Sequence, residues 1–164
     1  MISKTMQDAI NEQINKEWYS SYLYLSMAAY FEAGNLPGFG GWMRAQADEE
    51  RGHAMKLYDH LLDRGGSVML KAIAAPESEW ASALDVFKVV VNHEEQVTAS
   101  INALYERAQA EKDYPAQVLL HWFISEQVEE EKSAGEILRQ LELVEARGTA
   151  LLMLDHRLSK RSGD

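Results

Sequence analysis

Glycine and proline are so placed in this chain that they leave four long stretches free to be helical. Ser3 to about Ala33 contains neither residue, and the breaker run GNLPG follows at 34–38. Pro37 suits the first position of a helix, and a second segment runs from it to about Arg64, where Gly65-Gly66 supplies a stop. Residues 65–81 are mixed and contain Pro76. A third segment spans about Ser82 to Ala110, and the tetrapeptide KDYP, ending at Pro115, separates it from a fourth that ends near Arg147-Gly148. The tail TALLMLDHRLSK is expected to form one short helix over about 149–160. Each long segment is roughly 25–30 residues, or about 40 Å as a helix.

Apolar residues recur at helical spacing in all four segments. The stripes read Ile10, Ile14, Glu17, Ser21, Tyr24, Ala28, Phe31 in the first and Phe39, Met43, Gln46, Glu50, His53, Leu57, Leu61 in the second. The third reads Phe87, Val91, Glu94, Val97, Ile101, Leu104, and the fourth Leu120, Phe123, Gln127, Glu130, Ala134, Ile137, Leu141. Every stripe is interrupted by polar groups near the middle of its helix. A single buried carboxylate is a tolerable oddity. Four helices broken at one height point to a shared purpose, because isolated buried carboxylates must be neutralised, paired or metal-bound.

The first and third connections are short, so they join antiparallel neighbours. The middle one, of about 17 residues, reaches roughly 55 Å when extended and can cross the bundle lengthwise. The expected fold is all-α: a four-helix bundle over about 3–147 with one long crossover and a short fifth C-terminal helix, the ferritin-like arrangement, in one domain spanning 1–164. The tail's apolar residues Leu151, Leu152, Leu154 and Leu158 are assigned to contact with other subunits, since four helices already complete a core.

Charge narrows the partners. With 26 acidic against 16 basic side chains, the net charge is −10 and the pI about 5.0. That balance argues against duplex nucleic acid or an anionic membrane and suits a protein that collects cations. The longest early charge-free run, Trp18 to Phe31, is too short to span a bilayer. The N-terminus carries no signal-peptide pattern, so a cytoplasmic location is expected. The absence of Cys removes disulfides, thiolate nucleophiles and iron–sulfur ligation.

In the expected topology Glu17, Glu50, His53, Glu94, Gln127 and Glu130 meet at one level, with no Lys or Arg in the stripes to pair with them. Four carboxylates and one imidazole suit divalent oxygen-loving metals such as iron or manganese. Di-iron bundles use one Glu from each of two helices and a Glu-x-x-His from each of the other two. Here Glu17 and Glu94 are the single residues and Glu50-Arg51-Gly52-His53 is one Glu-x-x-His. The fourth helix departs, carrying Gln127-Val128-Glu129-Glu130. The second metal therefore loses its His, is held more weakly and is free to leave.

The segments NKEWYSSYLYLSMAAYF, ADEERGHA, NHEEQ and ISEQVEEEKS, spread over nearly the whole chain, resemble those of bacterial non-haem ferritins. The resemblance implies an iron-storage ferroxidase that oxidises Fe(II) with dioxygen or peroxide and stores ferric hydrous oxide in a shell of twenty-four subunits. It implies that Glu17, Glu50 and His53 hold the first iron and that Glu50, Glu94 and Glu130 hold the second, with Gln127 nearby. Glu49, Glu126, Glu129 and Glu130 match a third iron site, Tyr24 matches a tyrosine beside the centre, and the short fifth helix matches one at a symmetry axis. In animal ferritins an acidic pair lines the three-fold channel. The matching positions here are Gln117 and Leu120, so that route is expected to carry little iron.

Other functions fit less well. A haem-binding relative would need Met where Arg51 stands, so no haem is expected. A peroxidase of the rubrerythrin kind would need a second Glu-x-x-His, and its rubredoxin domain needs Cys. A mini-ferritin would place ligands across a subunit interface and lack the fifth helix. A metal-free helical scaffold is the alternative from another class. His60, His93, His121 and His156 have no partners at comparable spacing and are read as surface or core histidines, and Trp122 as packing beside Phe123.

Overall fold

The structure is a computed structural model that describes residues 1–144 and 148–160. These form α1 (Lys4–Ala33), α2 (Pro37–Asp63), α3 (Ala83–Ala110), α4 (Tyr114–Leu143) and α5 (Gly148–Leu158). Their starts follow from local chemistry. The Ser3, Ser82 and Asp113 side chains accept the N–H groups of Met6, Asp85 and Ala116 at the heads of α1, α3 and α4. Each satisfies a backbone donor that the helix itself cannot. Proline stands in the first turn of both α2 and α4. Gly65, at φ +70, takes the left-handed conformation that ends α2. The expected end of the fourth helix, at Arg147, falls outside the described residues, whereas α4 itself stops at Leu143.

The crossover is laid along α1 by hydrogen bonds in strict order. Gln7 Oε1 accepts the Ser67 N–H, Asn11 Oδ1 accepts the Met69 N–H, Asn15 donates to the Ala72 carbonyl and Ser26 to the Glu77 carbonyl. The chain is thus carried from one end of the bundle to the other. Contacts between α1 and α3 run the opposite way along the sequence, from Lys16–Ser100 to Ser20–His93, so these two helices are antiparallel. Arg64 and Asp113, 2.6 Å apart, tie the end of α2 to the start of α4.

The core falls into two apolar halves. One contains Tyr24, Phe31, Phe39, Trp42, Met43, Phe87 and Leu141. The other contains Met6, Ile10, Ile14, Leu57, Leu61, Ile101, Leu120 and Phe123. Each such side chain contributes about 1.5–3 kcal/mol on burial. Between the halves lies a buried polar layer of Gln13, Glu17, Ser20, Gln46, Glu50, His53, Glu94, Gln127 and Glu130. The expected stripes are buried with two exceptions: Ser20 and Val90 are buried where Ser21 and Val91 were assigned. A period of 3.6 residues leaves the choice between neighbouring positions to the packing partner.

Two expectations are corrected. Leu120 is 1 % exposed inside the bundle, and Gln117 is half-buried, donating to the Ala108 carbonyl, so Leu120 lines no channel. The apolar face of α5 is used within the chain: Leu154 and Leu158 are buried against the α2 end of the core, and only Leu152 and Met153 remain well exposed. The Asp155 carboxylate accepts the Phe39 N–H at 2.9 Å, capping α2, whose own Leu36 makes no side-chain cap. Gly38 permits this approach, because a Cβ there would stand 1.7 Å from the Asp155 carbonyl oxygen. Among the described residues no helix is long and apolar enough to cross a membrane.

Candidate metal centre

Every expected ligand on a core stripe lies in the polar layer. Glu17, Glu50 and Glu94 are fully buried, His53 and Gln127 nearly so, and Glu130 is 6 % exposed. Helical spacing does most of the positioning. Glu50 and His53 are one turn apart on α2, and His53 Nδ1 lies 3.5 Å from Glu50 Oε2 and 3.8 Å from Glu17 Oε2. The nitrogen facing the carboxylates is therefore Nδ1. Glu17, Glu50 and His53 offer ligand atoms that all lie within 4.8 Å of one another.

The hydrogen-bond inventory separates the carboxylates. Glu17 Oε1 accepts the Gln13 amide at 2.6 Å, and Glu130 Oε2 accepts the Gln46 amide at 2.7 Å. Glu94 accepts the Tyr24 hydroxyl on one oxygen and the Gln127 amide, at 3.1 Å, on the other. Among the described residues, the Glu50 oxygens and Glu17 Oε2 have no hydrogen-bond partner beyond the other carboxyl, a contact that raises Glu17 and lowers Glu50. Three buried carboxyl oxygens with only each other for partners, gathered beside an imidazole nitrogen, are what a bound divalent cation would satisfy.

Burial pushes the Glu17 and Glu50 carboxyls well above the usual range, and neighbouring carboxylates push them further. Burial, then the Glu94 charge, raises Glu130 to about 7. The Tyr24 phenol is likewise driven up, first by burial and then by Glu94. Carboxyl groups held in this way release protons to an incoming cation.

The structure groups the remaining residues differently from the expected ligand sets. A second cluster comprises His53, Glu126 and Glu130. Glu94 joins neither cluster, and Tyr24 and Gln127 engage its carboxylate. Glu49 is half-buried and near enough for its charge to raise both Glu50 and Glu130. Glu129 is exposed and belongs to neither cluster. Trp122 does more than pack beside Phe123: its ring stands edge-on to His53, 5.3 Å between centroids, with the Lys56 ammonium 4.2 Å above it. His93 is a core histidine bonded to Ser20, and burial lowers its pKa.

Gln13 and Gln46 were not anticipated as parts of the centre. The signal was present, since each stands four residues before a ligand, Glu17 or Glu50. The bond from Gln46 nevertheless goes to Glu130 on another helix, which spacing along α2 does not reveal.

Comparison with known proteins agrees with this fold. The family model for the Ferritin-like domain matches residues 7–144. A bacterial non-heme ferritin of Bacteroides fragilis is 41 % identical over 161 residues, covering 98 % of this chain and 100 % of the relative. One from Staphylococcus haemolyticus is 37 % identical over 164 residues, covering 100 % of this chain and 99 % of the relative. An engineered closed form of the Archaeoglobus fulgidus ferritin superposes with a TM-score of 0.98 at 49 % identity, covering both chains completely. The open pore ferritin of the same archaeon gives 0.97 at 49 % identity, covering 99 % of this chain and 100 % of that one.

Proposed function

The chain belongs to the ferritin family, and from that premise we propose that it is an iron-storage ferroxidase acting as one domain. Its substrates are Fe(II) and dioxygen or peroxide. Its product is ferric hydrous oxide, kept inside a cytoplasmic shell of twenty-four copies. The observation that carries the reading is the trio of buried oxygens on Glu17 and Glu50 that have only each other for partners beside His53 Nδ1.

Glu17, Glu50 and His53 receive the first Fe(II). Glu50, engaged by no side chain other than the Glu17 carboxyl, would also serve a second Fe(II), which Glu94 and Glu130 complete with Gln127 nearby. Two Fe(II) give up one electron each, and the pair reduces dioxygen to peroxide, or peroxide to water. The Tyr24 hydroxyl, bonded to Glu94, is assigned as an electron donor beside the centre: it would give one electron to dioxygen and its proton to Glu94, and a later Fe(II) would reduce it again. The second position has no histidine of its own. Glu126, clustered with His53 and Glu130, offers an oxygen ligand to iron on its way out, and Glu49 and Glu129 are proposed to join it.

Aerobic addition of Fe(II) followed by electron microscopy tests the proposal. The expected result is hollow particles that fill with electron-dense cores, and filling slowed in His53→Ala. Oxidation at the buffer rate with no filled particles would overturn it.

A further inference from the structure

Among the bonds around the polar layer, one sequence of donors runs from the surface to a ligand without a break. Lys16 Nζ donates to Ser100 Oγ at 2.6 Å, Ser100 Oγ donates to Gln13 Oε1 at 2.6 Å, and Gln13 Nε2 donates to Glu17 Oε1 at 2.6 Å. Its outer end fixes its direction, because an ammonium only donates. The single Ser100 proton must therefore point at Gln13, so the amide oxygen faces Ser100 and the amide N–H faces Glu17. Gln13 is buried at 2 % exposure, whereas Lys16 reaches solvent between α1 and α3.

The other two glutamines of the layer are not held in this way. Among the described residues the Gln46 amide oxygen has no partner, so its amide is oriented by Glu130 alone and not from outside the centre. Gln127 spreads its N–H groups over Glu94 and the Thr98 hydroxyl at 3.1–3.4 Å. Of the three, Gln13 has the shortest bond to a carboxylate and an orientation set from outside the centre.

We infer that Gln13, locked by Ser100 and Lys16, is a positioning residue that holds Glu17 by Oε1 and so presents Oε2 alone to the first metal. This rests on the proposed metal-binding role of Glu17 and adds to it. A carboxylate tied by one oxygen binds a cation through the other, in one orientation, with no rearrangement on loading. If the amide turned, its oxygen would face the carboxylate and repel it, and Glu17 would swing away from His53. Outer partners of this kind are typically worth ~10–100-fold in metal affinity.

Anaerobic Co(II) titration tests the inference, because the visible bands of Co(II) report ligand geometry without turnover. In the intact shell, Ser100→Ala is expected to weaken the tighter Co(II) site ~10-fold and change its band intensities. Ser100→Thr, which keeps the hydroxyl, should restore both. Gln13→Leu should match or exceed Ser100→Ala. Wild-type affinity and bands in Gln13→Leu and Ser100→Ala would overturn the inference. If either fails to fold, the other decides, and Ser100→Thr behaving like Ser100→Ala would also overturn it. Glu17→Ala separates the two claims: wild-type Co(II) binding in that variant would contradict the metal-binding role itself, whatever the Gln13 and Ser100 variants do.

Discussion

Glu50 Oε2 lies 3.5 Å from His53 Nδ1 across one turn of α2, and among the described residues the oxygens of Glu50 have no hydrogen-bond partner beyond the Glu17 carboxyl. Nothing in the apolar halves above and below requires this arrangement, and for folding alone it is a cost. Glu50→Gln keeps the side-chain volume and removes the charge. At pH 8 the metal-free variant should be the more stable by ~1 kcal/mol, about 2–4 °C in melting temperature, while losing tight metal binding. Paired calorimetric scans and metal titrations read the two effects. A destabilised variant that still binds metal would contradict this assignment.

The raised carboxyls fix the sign of a pH effect. Glu17, Glu50 and Glu130 hold their protons more tightly when the chain is folded. Their contribution to stability is fully present below the unfolded value of about 4.3. It declines as pH rises, and for Glu130 the loss is complete above about 7. Metal-free protein should therefore melt at progressively lower temperature from pH 5 to pH 8, beyond what the outer-surface charges produce. Saturating Zn(II) should flatten that slope and release protons on binding. A metal-free melting temperature that rises over the same interval would run against the expected sign.

Glu126 and Glu129 should separate kinetically. Glu126 clusters with His53 and Glu130, whereas Glu129 is exposed and outside that cluster. Glu126→Ala should slow recovery of the centre between successive Fe(II) additions several-fold, with Glu129→Ala producing the smaller change. Both should retain the initial fast phase in stopped flow. Loss of that phase in Glu129→Ala would place it in the first pair instead.

Asp155 is the counterpart for assembly of the chain itself. Its carboxylate caps α2 through the Phe39 N–H, and Leu154 and Leu158 are buried beside it. Asp155→Ala should cost ~1–2 kcal/mol and loosen α5, measured as faster amide exchange over 148–158. Gly38→Ala should do the same by steric exclusion, given the 1.7 Å approach. Unchanged exchange in both variants would mean that α5 is held by other contacts.

The sequence made the bundle legible because Gly and Pro spacing, helix period and the long middle link all point to one topology. Glu17, Glu50, His53, Glu94 and Glu130 were legible because each breaks an apolar stripe. What lay beyond reach was pairing between helices. That Gln46 serves Glu130, that Ser100 orients Gln13 and that Glu126 joins His53 depend on how faces meet, which no spacing within one helix encodes. The assignment of Leu120 to a channel failed for a related reason: a position counted along α4 took no account of its place on the stripe that Phe123 and Gln127 also occupy. The α5 face was given to other subunits because its docking partner, the start of α2, lies over a hundred residues earlier in the chain.

Anomalous diffraction at the iron edge, from crystals soaked anaerobically in Fe(II), tests the central claim most directly. One strong peak is expected, bounded by Glu17, Glu50 and His53. A weaker second peak is expected on the other side of Glu50, against Glu94 and Glu130, and both should vanish in Glu50→Ala. Iron peaks confined to surface carboxylates, with the polar layer empty in wild type, would contradict it.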